Sequence, residues 1–199
     1  MKKKWFLTVV SLLLVVLCLV GCSDYSEQIT KIDRLLNASY TKVHLSVSVS
    51  QNLDELESWF EVVYNDDGSS TVTFKIKRFS TFDGDQLPED YIETFQGSAT
   101  VKDGTVTNVT GDVPQDVQLQ NVLGSMQFSP NYLSDIEVNG NVLKANVSKP
   151  QAFMGQTDFH CKDNTMIVTV SYDNVLNYVR IQYTSTNGAQ VVMMYTYTA

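Results

Sequence analysis

Apolar and polar residues alternate along most of this chain. Val43, Leu45, Val47 and Val49 are interleaved with His44, Ser46, Ser48 and Ser50, the period of two that marks a strand with one buried face. Residues 59–64 read as a second strand and Asp66-Asp67-Gly68 as a turn. Residues 71–79 read as the return strand, with Val72, Phe74 and Ile76 alternating with Thr73, Lys75 and Lys77. Residues 91–101 and 105–111 form a hairpin around Asp103-Gly104, and 136–138 and 142–147 form another around Asn139-Gly140. The chain closes on a meander of 166–172, 178–184 and 190–198, with Asn187-Gly188 in its last turn.

Two segments carry helical spacing instead. In 27–38, Ile29, Ile32, Leu35 and Leu36 recur on one side, opposite Lys31, Asp33 and Arg34, and Ser26 is placed to cap the helix. In 116–127, Leu119, Val122, Leu123 and Met126 share a face, although Gly124 weakens that helix. Residues 80–90 and 150–163 read as irregular connections. The expected class is therefore mainly β (α+β): about ten strands in one antiparallel sheet, with two helices. A rhythm of one helix and about five strands occurs twice, around Gly111.

The first residues break this pattern. Lys2, Lys3 and Lys4 precede an apolar run from Trp5 to Val20 interrupted only by Thr8 and Ser11, the layout of a basic and then apolar secretion leader. At ~1.5 Å rise per residue the run covers about 24 Å as a helix, short of the ~30 Å hydrocarbon core of a bilayer. Leu19-Val20-Gly21-Cys22 resembles the lipobox of bacterial lipoproteins. That resemblance implies a signal peptide over 1–21, cleavage between Gly21 and Cys22, and a diacylglyceryl group carrying palmitate-like chains on the Cys22 sulfur. Two acyl chains anchor a protein stably where one does not. Residues 22–26 then form a lipidated tether, and 27–199 a single domain held close to the outer side of a cell membrane.

Charge and cysteine content narrow the partners. Without the three leader lysines, 11 of the 14 Lys and Arg remain against 22 Asp and Glu, a net charge of −11. Phosphate backbones and anionic head groups repel such a surface, so nucleic acid is not an expected partner. Cys18 leaves with the leader and Cys22 is committed to lipid, so Cys161 stands alone, read as a small buried apolar residue with no disulfide available.

Catalytic patterns are missing: there is no G-x-S-x-G, H-E-x-x-H, phosphate loop or dinucleotide glycine motif, and no cofactor is expected. His44 reads as a residue at a solvated strand edge. Asp158, His160 and Cys161 supply too few converging ligands for zinc. Asp83, Asp85, Glu89 and Asp90 crowd one loop without the spacing of a calcium hand, and Asp54, Glu55 and Glu57 read as a solvated acidic group. A non-enzymatic protein is the expectation.

The aromatics are more suggestive. Trp59, Phe60, Tyr64, Phe74, Phe79, Phe82, Tyr91 and Phe95 gather in the first half of the sheet, and Met193, Tyr195 and Tyr197 near its end. Core packing accounts for most of them. Trp59, Phe74, Phe79, Phe95 and Met193 are the candidates for lining an apolar cavity.

The order of elements, and the closing meander Met166-Ile167-Val168-Thr169-Val170, Tyr178-Val179-Arg180-Ile181-Gln182-Tyr183 and Val191-Val192-Met193-Met194-Tyr195, is similar to that of the LolA/LppX-like exported carriers and lipoproteins. The resemblance implies a half-barrel whose concave side is covered by helices and encloses an apolar cavity for a lipid. The alternative expectation is an envelope module that docks on another protein and has no cavity.

Overall fold

The computed structural model describes residues 25–51, 54–79, 92–115, 117–157 and 159–199. The expected leader and the lipobox-like Leu19-Val20-Gly21-Cys22, the acidic stretch 80–90 expected to be a loop, and Asp158 lie outside these residues.

Ten strands form one fully antiparallel sheet: β1 Lys42–Gln51, β2 Asp54–Tyr64, β3 Ser70–Phe79, β4 Ile92–Lys102, β5 Thr105–Gly111, β6 Leu133–Asn139, β7 Val142–Val147, β8 Ile167–Tyr172, β9 Leu176–Thr184 and β10 Gln190–Thr198. The spatial order is β5-β4-β3-β2-β1-β10-β9-β8-β7-β6. Two five-stranded meanders therefore meet at a central seam where the first strand pairs with the last. Lys42 faces Thr198 and Ser50 faces Gln190 across it. The sheet is open and curved, a mainly-β half-barrel as expected. The fivefold rhythm in the sequence corresponds to these two halves.

Alternation decides the faces. Val43 and Leu45 of β1, Phe60 and Val62 of β2, Val72, Phe74 and Ile76 of β3, and Val168, Val170, Val179 and Ile181 of β8 and β9 are all buried on the concave side. The hairpin turns follow from residues that tolerate left-handed backbone: Asp103 and Gly104 sit at φ 50° and 72°, and Gly188 at 92°.

Helix α1 spans Ser26–Leu36 and lays Ile29 and Ile32 on the concave face. Tyr25, not Ser26, holds the capping position, and no side chain caps the helix there. The second helix is not where the periodicity put it. Residues 117–126 hold a single 3₁₀ turn, Leu119–Asn121, because Gly124 adopts φ 63° and a left-handed residue ends a helix. α2 instead spans Pro150–Met154, inside the stretch read as irregular. Pro150 supplies the pre-set φ of a first helical residue, and Gly155 at φ 63° closes the helix. Phe153 and Met154 are buried, and Phe153 packs edge-on against Phe128 with ring centroids 5.0 Å apart. No helix among the described residues is long and apolar enough to cross a membrane.

Candidate functional site

The concave face is not filled evenly. α1 and α2 lie over the β7 to β10 half, with a cleft of about 490 Å³ between α1 and Val138, Gly140, Asn141 and Tyr172, while over β1 to β4 the cover is the irregular strap 117–126. That strap is tied down at its end by the Gln127 amide, which donates to the Phe153 carbonyl at 2.8 Å. Its packing against α2 is tight: a Cβ on Gly155 would collide with the Ser125 hydroxyl and lie 2.7 Å from the Ser125 carbonyl oxygen.

Two clefts open under this strap. The larger, about 790 Å³, lies between the strap and the β2, β3 and β4 strands, with Val62, Val72 and Val101 as its floor and Gln118, Gln120 and Asn121 along its rim. The smaller, about 500 Å³, lies between the strap, the end of α1 and the β1–β10 seam, with Tyr40, Val43, Tyr195 and Tyr197 in its walls. Tyr64, Leu123, Gly124 and Ser125 line both. Tyr64, 47% exposed, thus stands on the partition between two arms of one open site.

Tyrosines dominate the smaller arm. Tyr40 donates its hydroxyl proton to the Leu35 carbonyl at 2.8 Å and accepts from the buried Leu176 amide at 3.1 Å. Its ring lies 4.9 Å from that of Tyr197, tilted by 51°. Tyr195 is 2% exposed, and its hydroxyl has no hydrogen-bond partner among the described residues. Burial pushes the phenols of Tyr195 and Tyr197 well above the ordinary tyrosine range, and raises that of Tyr64. All stay neutral at physiological pH.

Of the five expected cavity residues, the four with described side chains line neither cleft. Trp59 faces Ser46 and Lys75 in the register. Its neighbour Phe60 is buried on the concave side, so Trp59 points to the opposite, convex face. There its ring meets His44 edge-on, centroids 5.2 Å apart. Phe74, 2% exposed, is a core residue, and Phe95 and Met193 are half-buried against that core. None of these three borders either cleft. Phe79 ends β3, and its side chain lies outside the description. Tyr40, Tyr64, Tyr195 and Tyr197 are the aromatic residues that line the clefts among the described residues. The alternation in β10 was the available signal, since it puts Tyr195 and Tyr197 on the same face as Met193.

Other sequence candidates are dispersed. His44 is not at an edge: β1 is central, and the Nε2 atom is buried with no hydrogen-bond partner. Glu55 accepts from Ser48 Oγ at 2.6 Å on the convex face. No cluster of three or more metal-ligating side chains occurs among the described residues. Cys161 is buried, its Sγ donating to the Lys162 carbonyl at 3.3 Å, and burial pushes its thiol up. That environment keeps a thiol protonated.

No protein-family model matches this sequence, and no curated protein matches it. Solved structures with similar outlines include LprF from Mycobacterium bovis, at 10% identity and a TM-score of 0.43, covering 87% of this chain and 93% of that one. MucB is similar at 12% identity and a TM-score of 0.39 over 89% of this chain, which spans 58% of MucB. A DUF1329 family protein from Desulfovibrio piger is similar at 9% identity and a TM-score of 0.29.

Proposed function

We propose that this chain is an exported, lipid-anchored binding protein of the cell envelope that holds an apolar or lipid ligand and catalyses no reaction. The observation that carries the reading is the pair of clefts under the strap 117–126. Each of the two, at about 790 and 500 Å³, falls in the range of small-molecule sites, and their floor is valine and tyrosine. Both clefts lie under the strap, over the first strands of the sheet and the seam. The leader supports the setting: a basic and apolar run ending in Gly21-Cys22 directs a lipid anchor to the sulfur of Cys22. The same clefts favour ligand binding over a purely protein-docking role.

Two measurements test this. The full chain is expressed in bacteria fed labelled palmitate, and the purified protein is extracted with organic solvent. The expected result is label on the wild type, none on Cys22→Ser, and a near-stoichiometric amphiphile in the extract. Protein that yields no extractable ligand and binds no fluorescent lipid analogue overturns the binding role. A leader still attached to unmodified Cys22 overturns the anchor.

A further inference from the structure

Among the described residues, the lining of the two clefts contains no charged side chain, although charged residues make up 18% of the chain. The charges lie on other surfaces: Lys42 pairs with Glu61 at 3.0 Å and Lys102 with Asp67 at 3.4 Å. A site that receives a carboxylate or phosphate ordinarily offers a cation or a helix N-terminus to it. This one offers phenols, primary amides and the hydroxyls of Ser39, Ser70 and Ser125. These groups both donate and accept hydrogen bonds without carrying charge.

The buried end of the smaller arm sharpens the picture. The Tyr195 ring is enclosed between Leu45 and Val179 in the register, and its hydroxyl is left without a protein partner among the described residues. Unlike His44 Nε2, which is buried without a partner, this hydroxyl keeps some exposure, and the open space beside it is the cleft that Tyr195 walls. Tyr197 lies beside it, half-buried, in the same wall.

Resting on the binding role proposed above, we infer that the site takes an uncharged amphiphile. Its hydroxyl- or ester-bearing head hydrogen-bonds Tyr195, and its apolar body runs past Tyr64 over the valine floor of the larger arm. Anionic amphiphiles are disfavoured, because an ionised head would lose its hydration without gaining a counter-charge. The neutrality of the phenols, held by burial, keeps the site uncharged across the physiological range.

The test uses the full chain purified as bacteria process it, with a fluorescent monoacylglycerol as probe. Unlabelled monoolein, oleate and oleoyl-lysophosphatidylglycerol then compete for it, all sharing one acyl chain. The expected result is that monoolein competes at least about tenfold better than either anion. Tyr195→Phe should weaken monoolein by about three- to tenfold, the loss of one hydrogen bond, with an unchanged melting curve. Ser125→Arg, which adds a cation where the arms meet, should narrow the gap or reverse it in favour of oleate. If the anions compete as well as monoolein, or if Tyr195→Phe binds as the wild type does, the inference fails while the binding role stands. If no member of the set binds, both fall together.

Discussion

The amide of Leu176, fully buried at the start of β9, is satisfied by the side chain of Tyr40, 136 residues earlier, at 3.1 Å. The same phenol is donated to the Leu35 carbonyl at the end of α1. One hydroxyl therefore joins the helix that covers the sheet to a strand of that sheet, beside the smaller cleft.

Tyr40→Phe should remove both bonds and leave a buried amide unpaired, at a cost of about 1–3 kcal/mol. Urea unfolding with an unchanged slope checks the magnitude. Amide exchange at Leu176 should accelerate more than at Val179, whose ladder partners remain. Equal protection at both positions would contradict the role given to the phenol.

A second weak point is set by two glycines. Gly97 of β4 faces Gly111 of β5, and a Cβ on Gly97 would collide with the Thr110 carbonyl, while one on Gly111 would collide with that of Gln96. Gly97→Ala should therefore destabilise the protein by about 1–3 kcal/mol, as overpacking does. The damage should concentrate in β5, read as faster exchange of the Val106 and Thr107 amides.

Acid should find Asp67 late. Hydrogen bonds from the Ser69 hydroxyl and amide, with Lys102 nearby, lower its carboxyl from 3.8 to about 2. A depressed folded value means the stabilisation is present above pH 3.8 and lost as pH falls through about 2. The stability difference between wild type and Asp67→Asn should accordingly be constant near neutrality and shrink between pH 4 and pH 2. A difference that persists at pH 2 would count against this origin.

Alkali should act in the opposite sense on the tyrosines. Burial pushes Tyr183 up to about 12, from 10.0, and Tyr195 and Tyr197 further still. A raised folded value gives stability that is fully present below pH 10 and lost as pH rises through about 12. Phenolate absorbance should rise in two stages, exposed tyrosines first and the buried set together with unfolding. Tyr195→Phe should move that second stage to higher pH.

The face of Trp59 can be checked through binding. Since Trp59 stands on the convex side against His44, Trp59→Phe should leave uptake of a fluorescent monoacylglycerol within about twofold of wild type. A larger loss would place the ligand on the wrong side of the sheet for the site described above.

The strands were legible because alternation and Asn-Gly or Asp-Gly turns are local signals, and β7 and β10 ran as expected, Val142–Val147 and Gln190–Thr198. The strap was not. Leu119, Val122, Leu123 and Met126 do pack inward, but a segment lying flat over a concave sheet buries the same residues as a helix would, and periodicity alone does not separate the two. Gly124 carried the decisive information, because its φ of 63° is left-handed backbone that favours glycine. The identity of the cleft residues was hidden for a different reason. Phe74 and Tyr195 share the same face and burial, and only the uneven cover above the sheet decides which one borders open space.

The seam between β1 and β10 also orders events in time. Residues from 42 onward cannot be joined to their central neighbour until Gln190–Thr198 has been synthesised, so the earlier meander waits with the inner flank of β1 unpaired. A strand edge left open that long invites pairing with other chains. Protection by a holding chaperone, or by delivery of the finished polypeptide all at once, is thus a demand that this connectivity makes on the cell that produces it.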